Sequence, residues 1–300
     1  MLYGIVDIGS NTVRLNVYRS ENHDINIMFS KKENIGLIFY IKEGILTNEG
    51  INKLVSILKE IRSDLDYLEI NNYHFFATAW LRNIENSAEV IQIIKDKVNI
   101  GIDVLSGEEE GKLSFCGSMH ILKRDDGILI DLGGGSVEIV LFKNRKVEEA
   151  CSIPVGSLKM YNEYVSLIIP DEKGSNLIKE RIYSELNRIC PNNQGKILFM
   201  CGIGGNIRTI KKLLVNLNLQ WNKGDLIDVK LLEQLEKELK HNNKDTYNKI
   251  LYIKPSRIHT LVPALLTLEA IISYFGCKEL QISKFSVREG YLYKKVLYRC

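Results

Sequence analysis

The sequence predicts an α/β fold built of two similar halves, and three observations carry that expectation. Apolar runs that read as strands alternate with amphipathic runs that read as helices along most of the 300 residues. Two segments nearly repeat one another, Asp7-Ile-Gly-Ser-Asn-Thr-Val-Arg-Leu-Asn-Val-Tyr18 and Asp131-Leu-Gly-Gly-Gly-Ser-Val-Glu-Ile-Val-Leu-Phe142. Aligned without a gap, they share the aspartate, the next-but-one glycine, a Thr or Ser hydroxyl and the valine after it. The composition, 45% hydrophobic and 26% charged, is that of an ordinary globular protein long enough for two domains.

Each repeat reads as an apolar strand ending in Asp, a tight glycine turn and a second apolar strand: a hairpin with a carboxylate at its mouth. In the first half, residues 25–29 and 35–41 read as further strands. Ile51, Leu54, Val55, Leu58, Ile61, Leu65 and Leu68 recur at helical spacing and predict a helix over 48–68, capped by Thr47 or Asn48. A strand at 73–77, a helix at 87–98, a short strand at 102–105 and a helix at 108–122 follow. The second half repeats the theme: the hairpin at 128–142, a strand at 146–153, a helix from Gly156 and an amphipathic helix over 175–189. Then come a strand at 196–200, a helix at 206–215, helices at 227–239 and 255–275, a strand at 279–282 and a terminal helix over 287–297. Turn-rich stretches are confined to 191–195 and 221–224.

Forty basic against 37 acidic residues leave a net charge of +3, which calls for neither a nucleic acid nor a membrane partner. The longest apolar stretch, 261–275, is broken by Pro263 and Glu269 and is shorter than a membrane span. The six cysteines show no CxxC and no histidine at metal-ligand spacing, and the N-terminus has no signal-peptide pattern, so a reduced, cytoplasmic protein is expected. The histidines, at 23, 74, 120, 241 and 259, are expected to be structural or at the surface.

Glycine turns such as these aim backbone N–H groups at anions, and the aspartates suit a hard cation such as Mg²⁺. A third segment, Ser106-Gly-Glu-Glu-Glu-Gly111, lies between a short strand and a helix. Its three carboxylates either cap the helix or supply a general base. Water attack on a phosphoanhydride needs a carboxylate to take the proton, a metal to offset charge and donors to hold phosphoryl oxygens. Gly9, Ser10, Asn11 and Thr12 in one turn, and Gly133, Gly134, Gly135 and Ser136 in the other, are the candidate phosphate donors. Arg14 is either a phosphate ligand or a salt-bridge partner, and Gly156-Ser157 and 202–205 are strand-to-helix turns open to an anion or merely reversing the chain.

Seven motifs in register make the chain resemble the exopolyphosphatase and guanosine pentaphosphate phosphatase (Ppx/GppA) family of the actin-like ATPase superfamily. They are Asp7 to Arg14, Ala77-Thr-Ala-Trp-Leu-Arg82, Ser106 to Gly111, Asp131 to Glu138, Pro154-Val-Gly-Ser-Leu158, Gly202-Ile-Gly-Gly205 and Arg288-Glu-Gly290. The resemblance implies duplicated ribonuclease-H-like domains with an interdomain cleft, 1–123 and 124–286, the helix at about 287–300 packing back on the first. It implies Glu110 as catalytic base, with Glu109 as substitute, and Arg82 as a phosphate clamp. Asp131 and Glu138 would hold Mg²⁺ or Mn²⁺, with Asp7 completing the metal site. Family members often resemble dimers, so a homodimer is an expectation.

The implied activity is hydrolysis of the terminal phosphate of inorganic polyphosphate. The chain ends at Cys300, without the C-terminal helical domains of longer members, which points to short chains. Guanosine pentaphosphate hydrolysis is the alternative within the family, and a non-hydrolytic sensor or an ATP-dependent kinase is the alternative outside it. Departures from the family pattern cluster late, at Asn206, Arg257-Ile-His259, Ala264 and Ser286.

Overall fold

The computed structural model describes residues 1–21, 24–220 and 224–299. Contacts divide the chain into two units, Met1–Glu110 and Gly111–Cys300. The division falls inside a helix, earlier in the chain than the expected boundary at 123.

The first unit runs β1 (Leu2–Ile8), β2 (Thr12–Glu21), β3 (Asp24–Asn34), the short pair β4 (Ile41–Lys42) and β5 (Ile45–Leu46), α1 (Asn48–Tyr67), β6 (Tyr73–Ala77), α2 (Ala79–Arg82), α3 (Ser87–Val98), β7 (Ile102–Val104) and the start of α4 (Gly107–Ser118). Its sheet has the order β3-β2-β1-β6-β7, antiparallel through the first three strands and parallel from β1 onward. The Thr47 side chain accepts from the Gly50 N–H to start α1, and the apolar stripe predicted for that helix, except Leu68, which is exposed just past its end, is buried in one core with Val6, Ile8 and Leu15. The strand expected at 35–41 is a 3₁₀ turn, Leu37–Tyr40, because Gly36 at φ 62° turns the chain out of extended geometry.

The second unit runs β8 (Gly127–Leu132), β9 (Val137–Lys143), β10 (Lys146–Ile153), α5 (Ser157–Tyr164), α6 (Glu172–Ile189), β11 (Phe199–Ile203), α7 (Gly205–Asn216), β12 (Leu226–Asp228), α8 (Lys230–Leu239), α9 (Lys244–Ile253), α10 (Leu261–Phe275), β13 (Glu279–Ile282) and α11 (Val287–Tyr291). Its sheet order, β10-β9-β8-β11-β13-β12, repeats the first unit's antiparallel trio followed by parallel strands, with β12 added at the edge. Both units therefore have the ribonuclease-H-like topology that the family resemblance implies.

Residues alternating along β8 and β9 serve two cores, as a sheet with period two requires. Ile128, Ile130 and Ile139 face Ile178, Ile210 and Leu265 of the helical layer, while Leu129, Val140 and Phe142 face Phe115 of α4 and Leu122. The body of α4 therefore belongs to the second sheet. The C-terminal helix is part of the same unit, where the sequence reading placed it on the first. A Cβ at Gly290 would overlap the Leu113 carbonyl, so α11 and α4 cross at backbone contact.

Other boundaries also move. The strand expected at 196–200 is β11, shifted to Phe199–Ile203. The helix expected from 227 opens as β12, which pairs with β13. The helix expected from 255 begins with a 3₁₀ turn and becomes α-helical at Leu261. α9, absent from the sequence reading, is capped by Asn243, whose side chain accepts from the Thr246 N–H. The turn expected at 221–224 and His23 fall, wholly or mostly, outside the described residues. Cys151, Cys190, Cys201 and Cys277 are free thiols, whereas Cys116 is disulfide-bonded, a correction to the expectation of a wholly reduced set. Among the described residues no helix is long and apolar enough to cross a membrane.

Candidate active site

Both hairpins place their chemistry by the same register. Asp7 lies opposite Arg14 across β1 and β2, and Asp131 lies opposite Glu138 across β8 and β9. Each turn is closed by an equivalent bond, Gly9 N–H to the Thr12 carbonyl at 2.9 Å and Gly133 N–H to the Ser136 carbonyl at 3.1 Å. The repeated sequence is thus a repeated geometry, with a carboxylate facing a cation in one copy and a second carboxylate in the other.

The direction of the turn N–H groups follows from where the carbonyls point. The Gly133 carbonyl accepts from Ser157 N–H (3.0 Å), that of Gly134 from Leu158 and Lys159 N–H (2.9 and 3.0 Å), and that of Gly135 from Gly156 N–H (3.3 Å). In a trans peptide the next N–H points the opposite way, so Gly134, Gly135 and Ser136 turn their N–H groups away from α5. Three successive N–H groups on one side of a turn form an anion nest. In the first hairpin the Ser10 and Asn11 carbonyls accept from Ile38, Ile35 and Gly36 N–H groups, which turns the Asn11 and Thr12 N–H groups outward in the same way.

This corrects the role expected of Gly156 and Ser157. Their N–H groups are spent on glycine-turn carbonyls, and the Ser157 hydroxyl, itself hydrogen-bonded to Asn206, donates to the Gly133 carbonyl. The pair positions the nest; its N–H groups do not face an anion.

Glu138 is buried, and its Oε1 accepts from the Ser136 and Ser152 hydroxyls at 2.6 and 2.8 Å. Burial, and then the neighbouring Asp131, push its carboxyl up to about 7 in spite of those bonds. Asp131 accepts from the Ser114 hydroxyl of α4 at 2.8 Å.

The first turn of α4 separates the roles of the three glutamates. Glu109 accepts from Ser106 N–H at 3.0 Å while the Ser106 hydroxyl accepts from Glu109 N–H at 3.1 Å, a reciprocal capping box. Glu109 is thereby the helix cap, Glu108 is exposed and Glu110 is half-buried. In the first unit, Trp80 donates its indole N–H to the Ile8 carbonyl beside the glycine turn, and Arg82 donates to the Leu105 carbonyl at the end of β7.

Cationic groups that sequence reasoning left out also appear in the second unit. Arg208, on α7 one turn past Gly204-Gly205, is held below its ordinary value by burial and by Arg288 and Arg257, with Asp131 opposing. A cavity of about 930 Å³ opens beside it, rimmed by Lys123, Lys211, Lys212 and Lys284 and walled by Val215, Ile253 and Phe285. Arg208, Lys211, Lys212 and Val215 recur at helical spacing, a stripe visible in the sequence.

No group of three or more His, Cys, Asp or Glu stands close enough to hold a metal among the described residues. Asp131 and Glu138, opposite one another in register, are hard oxygen donors of the kind Mg²⁺ or Mn²⁺ takes. Two hard oxygen donors that repel one another suit an ion whose remaining positions belong to water and phosphate.

Two sheets of one topology, each opened by a hairpin with a carboxylate at its mouth, define a duplicated α/β protein. The chain belongs to the Ppx/GppA phosphatase family, whose model matches residues 16–299. It is 25% identical to a putative exopolyphosphatase of Haemophilus influenzae over 96% of this chain and 89% of that one. It is 27% identical to a bifunctional 3-dehydroquinate synthase/phosphatase of Fusobacterium nucleatum over 90% of this chain, which spans only 43% of that protein. The crystal structure of an exopolyphosphatase from Cytophaga hutchinsonii has the same fold, with a TM-score of 0.87 over 100% of this chain and 99% of that one at 21% identity.

Proposed function

We propose that this protein is an exopolyphosphatase that removes the terminal phosphate of inorganic polyphosphate, short chains preferred. The observation that supports it best is on α4, where Glu109 caps the helix, Glu108 is exposed, and the half-buried Glu110, the base in this reading, lies one turn before Ser114, which holds Asp131. In this reading the Glu110 carboxylate takes a proton from water as the water oxygen bonds to the terminal phosphorus. The bridging P–O bond breaks in line, and the shortened chain leaves with the bridging oxygen.

The N–H groups of Gly134, Gly135 and Ser136 hold phosphoryl oxygens, and the turn at Gly9, Ser10, Asn11 and Thr12, with Arg14 and Arg82, is assigned the same task. Asp131 and Glu138 are the donors for Mg²⁺, which when bound offsets phosphoryl charge; Asp7 is a further candidate by its likeness to Asp131. Replacing Glu110 by Gln is expected to abolish phosphate release while polyphosphate binding, measured by equilibrium titration, persists. Unchanged turnover in that variant would falsify the assignment.

A second reading, guanosine pentaphosphate 5′-phosphohydrolase, draws support from the cavity beside Arg208. Its lysine rim suits phosphates, but the wall of Val215, Ile253 and Phe285 offers a bare polyphosphate nothing and a nucleoside an apolar face.

A further inference from the structure

We propose that Ser114 is a positioning residue for hydrolysis, tying the helix that carries the base to the carboxylate that holds the metal. The inference rests on the reading of Glu110 and Asp131 given above. Ser114 lies four residues after Glu110 on α4, so the two side chains share a face one turn apart. It is fully buried, at 0% exposure, and its Oγ donates to Asp131 Oδ2 at 2.8 Å.

A buried helical serine ordinarily turns its hydroxyl back to the carbonyl one turn earlier. Ser114 instead spends its proton on a strand carboxylate, a charge-assisted bond that fixes the plane of the Asp131 side chain. Gly111 secures the same turn from the next position. A Cβ there would stand 3.1 Å from Val140 and 3.6 Å from the Glu138 Cβ, so α4 comes down on β9 at the second carboxylate.

Helix ends fray, and a base at the first turn of a helix is only as well placed as that turn. The Ser114 bond and the Gly111 contact fix the part of α4 that follows Glu110 on the strand pair that carries Asp131 and Glu138. A misplacement of about 1 Å costs on the order of 100-fold in rate, and loss of a partner that orients a metal ligand costs about 10–100-fold in affinity or activity. Ser114 is thus placed to govern both the metal and the base through one hydroxyl.

The test compares Ser114→Ala, Asp131→Asn and the double variant in the full chain, reading Mn²⁺ affinity by electron paramagnetic resonance, kcat and KM for phosphate release from tripolyphosphate, and thermal unfolding. Ser114→Ala is expected to weaken Mn²⁺ about tenfold and lower kcat about 10–100-fold, with KM nearly unchanged. In the Asp131→Asn background the same substitution is expected to add no further loss of Mn²⁺ affinity. Wild-type Mn²⁺ affinity in Ser114→Ala, or full additivity in the double variant, overturns the proposal. Glu110→Gln keeps the two readings separable: if it still hydrolyses, the base assignment fails, while the Mn²⁺ measurement continues to test the grip of Ser114 on Asp131.

Discussion

At Gly156 a single missing Cβ decides how the glycine turn is presented. A methyl group there would overlap the backbone of Gly134 and Gly135, whose carbonyls the α5 N–H groups hold. Gly156→Ala is therefore expected to push the turn off α5, rotating the Gly134, Gly135 and Ser136 N–H groups out of line. We expect KM for polyphosphate to rise at least tenfold, with a stability loss of about 1–3 kcal/mol, measured by steady-state kinetics and thermal unfolding. If KM stays unchanged in a folded variant, the nest is not the phosphate holder. The glycine itself was conspicuous in the sequence, but its task was not. A strand-to-helix turn announces available N–H groups, and only the fold shows that neighbouring carbonyls already accept from them.

Among the elements, α10 carries a largely buried carboxyl whose titration is readable as stability. Burial first, and then Glu236 beside it, push the Glu269 carboxyl up to about 9, with Lys179 at 3.8 Å opposing. A carboxyl with a raised folded value binds more protons folded than unfolded. Its contribution to stability is present below about 4.5 and is lost as pH rises through about 9. Melting temperature should fall over that window, and Glu269→Gln should flatten the fall and raise the melting temperature at pH 9 by a few degrees. An unchanged pH slope in the variant would remove Glu269 as its source. The same helix was legible as a buried apolar run, because thirteen of its residues, Pro263 among them, are buried. α9 was not legible, since only Thr246 and Ile250 of it are buried and its Asn243 cap resembles a loop residue. β11 was misplaced because Gly202 looks like a strand breaker, yet between β8 and β13 it gives Ile207 and Leu280 the space a side chain would take.

For the molecule as a whole, the duplication explains how one device serves two chemistries. The first hairpin sets Arg14 opposite Asp7 and the second sets Glu138 opposite Asp131, so copies of one turn differ in sign at one position. In the proposed reading substrate choice depends instead on features the copies do not share, above all the cavity beside Arg208. Replacing Lys212 and Lys284 by Ala should weaken an occupant of that cavity several-fold while leaving the smallest substrate, tripolyphosphate, little affected. Phosphate release from polyphosphates of defined length and from guanosine pentaphosphate, compared in wild type and variant, checks this. A selective loss with the nucleotide identifies the cavity as a nucleoside site, a selective loss with longer chains makes it a phosphate channel, and no loss with either removes it from substrate binding.

By itself the sequence determined the repeated hairpins, the Asp131 and Glu138 pair, the run of glutamates at the start of α4 and most of the helices. These are local, encoded by residue type at fixed spacing, and backbone geometry turns spacing directly into position. Only the tertiary structure decided which glutamate caps, that Gly156 sets the turn, that Ser114 reaches Asp131, and that the lysines of α7 and of the segment after β13 rim one cavity. Each of these joins side chains or backbones from different elements, whose meeting depends on how helices pack on the sheet.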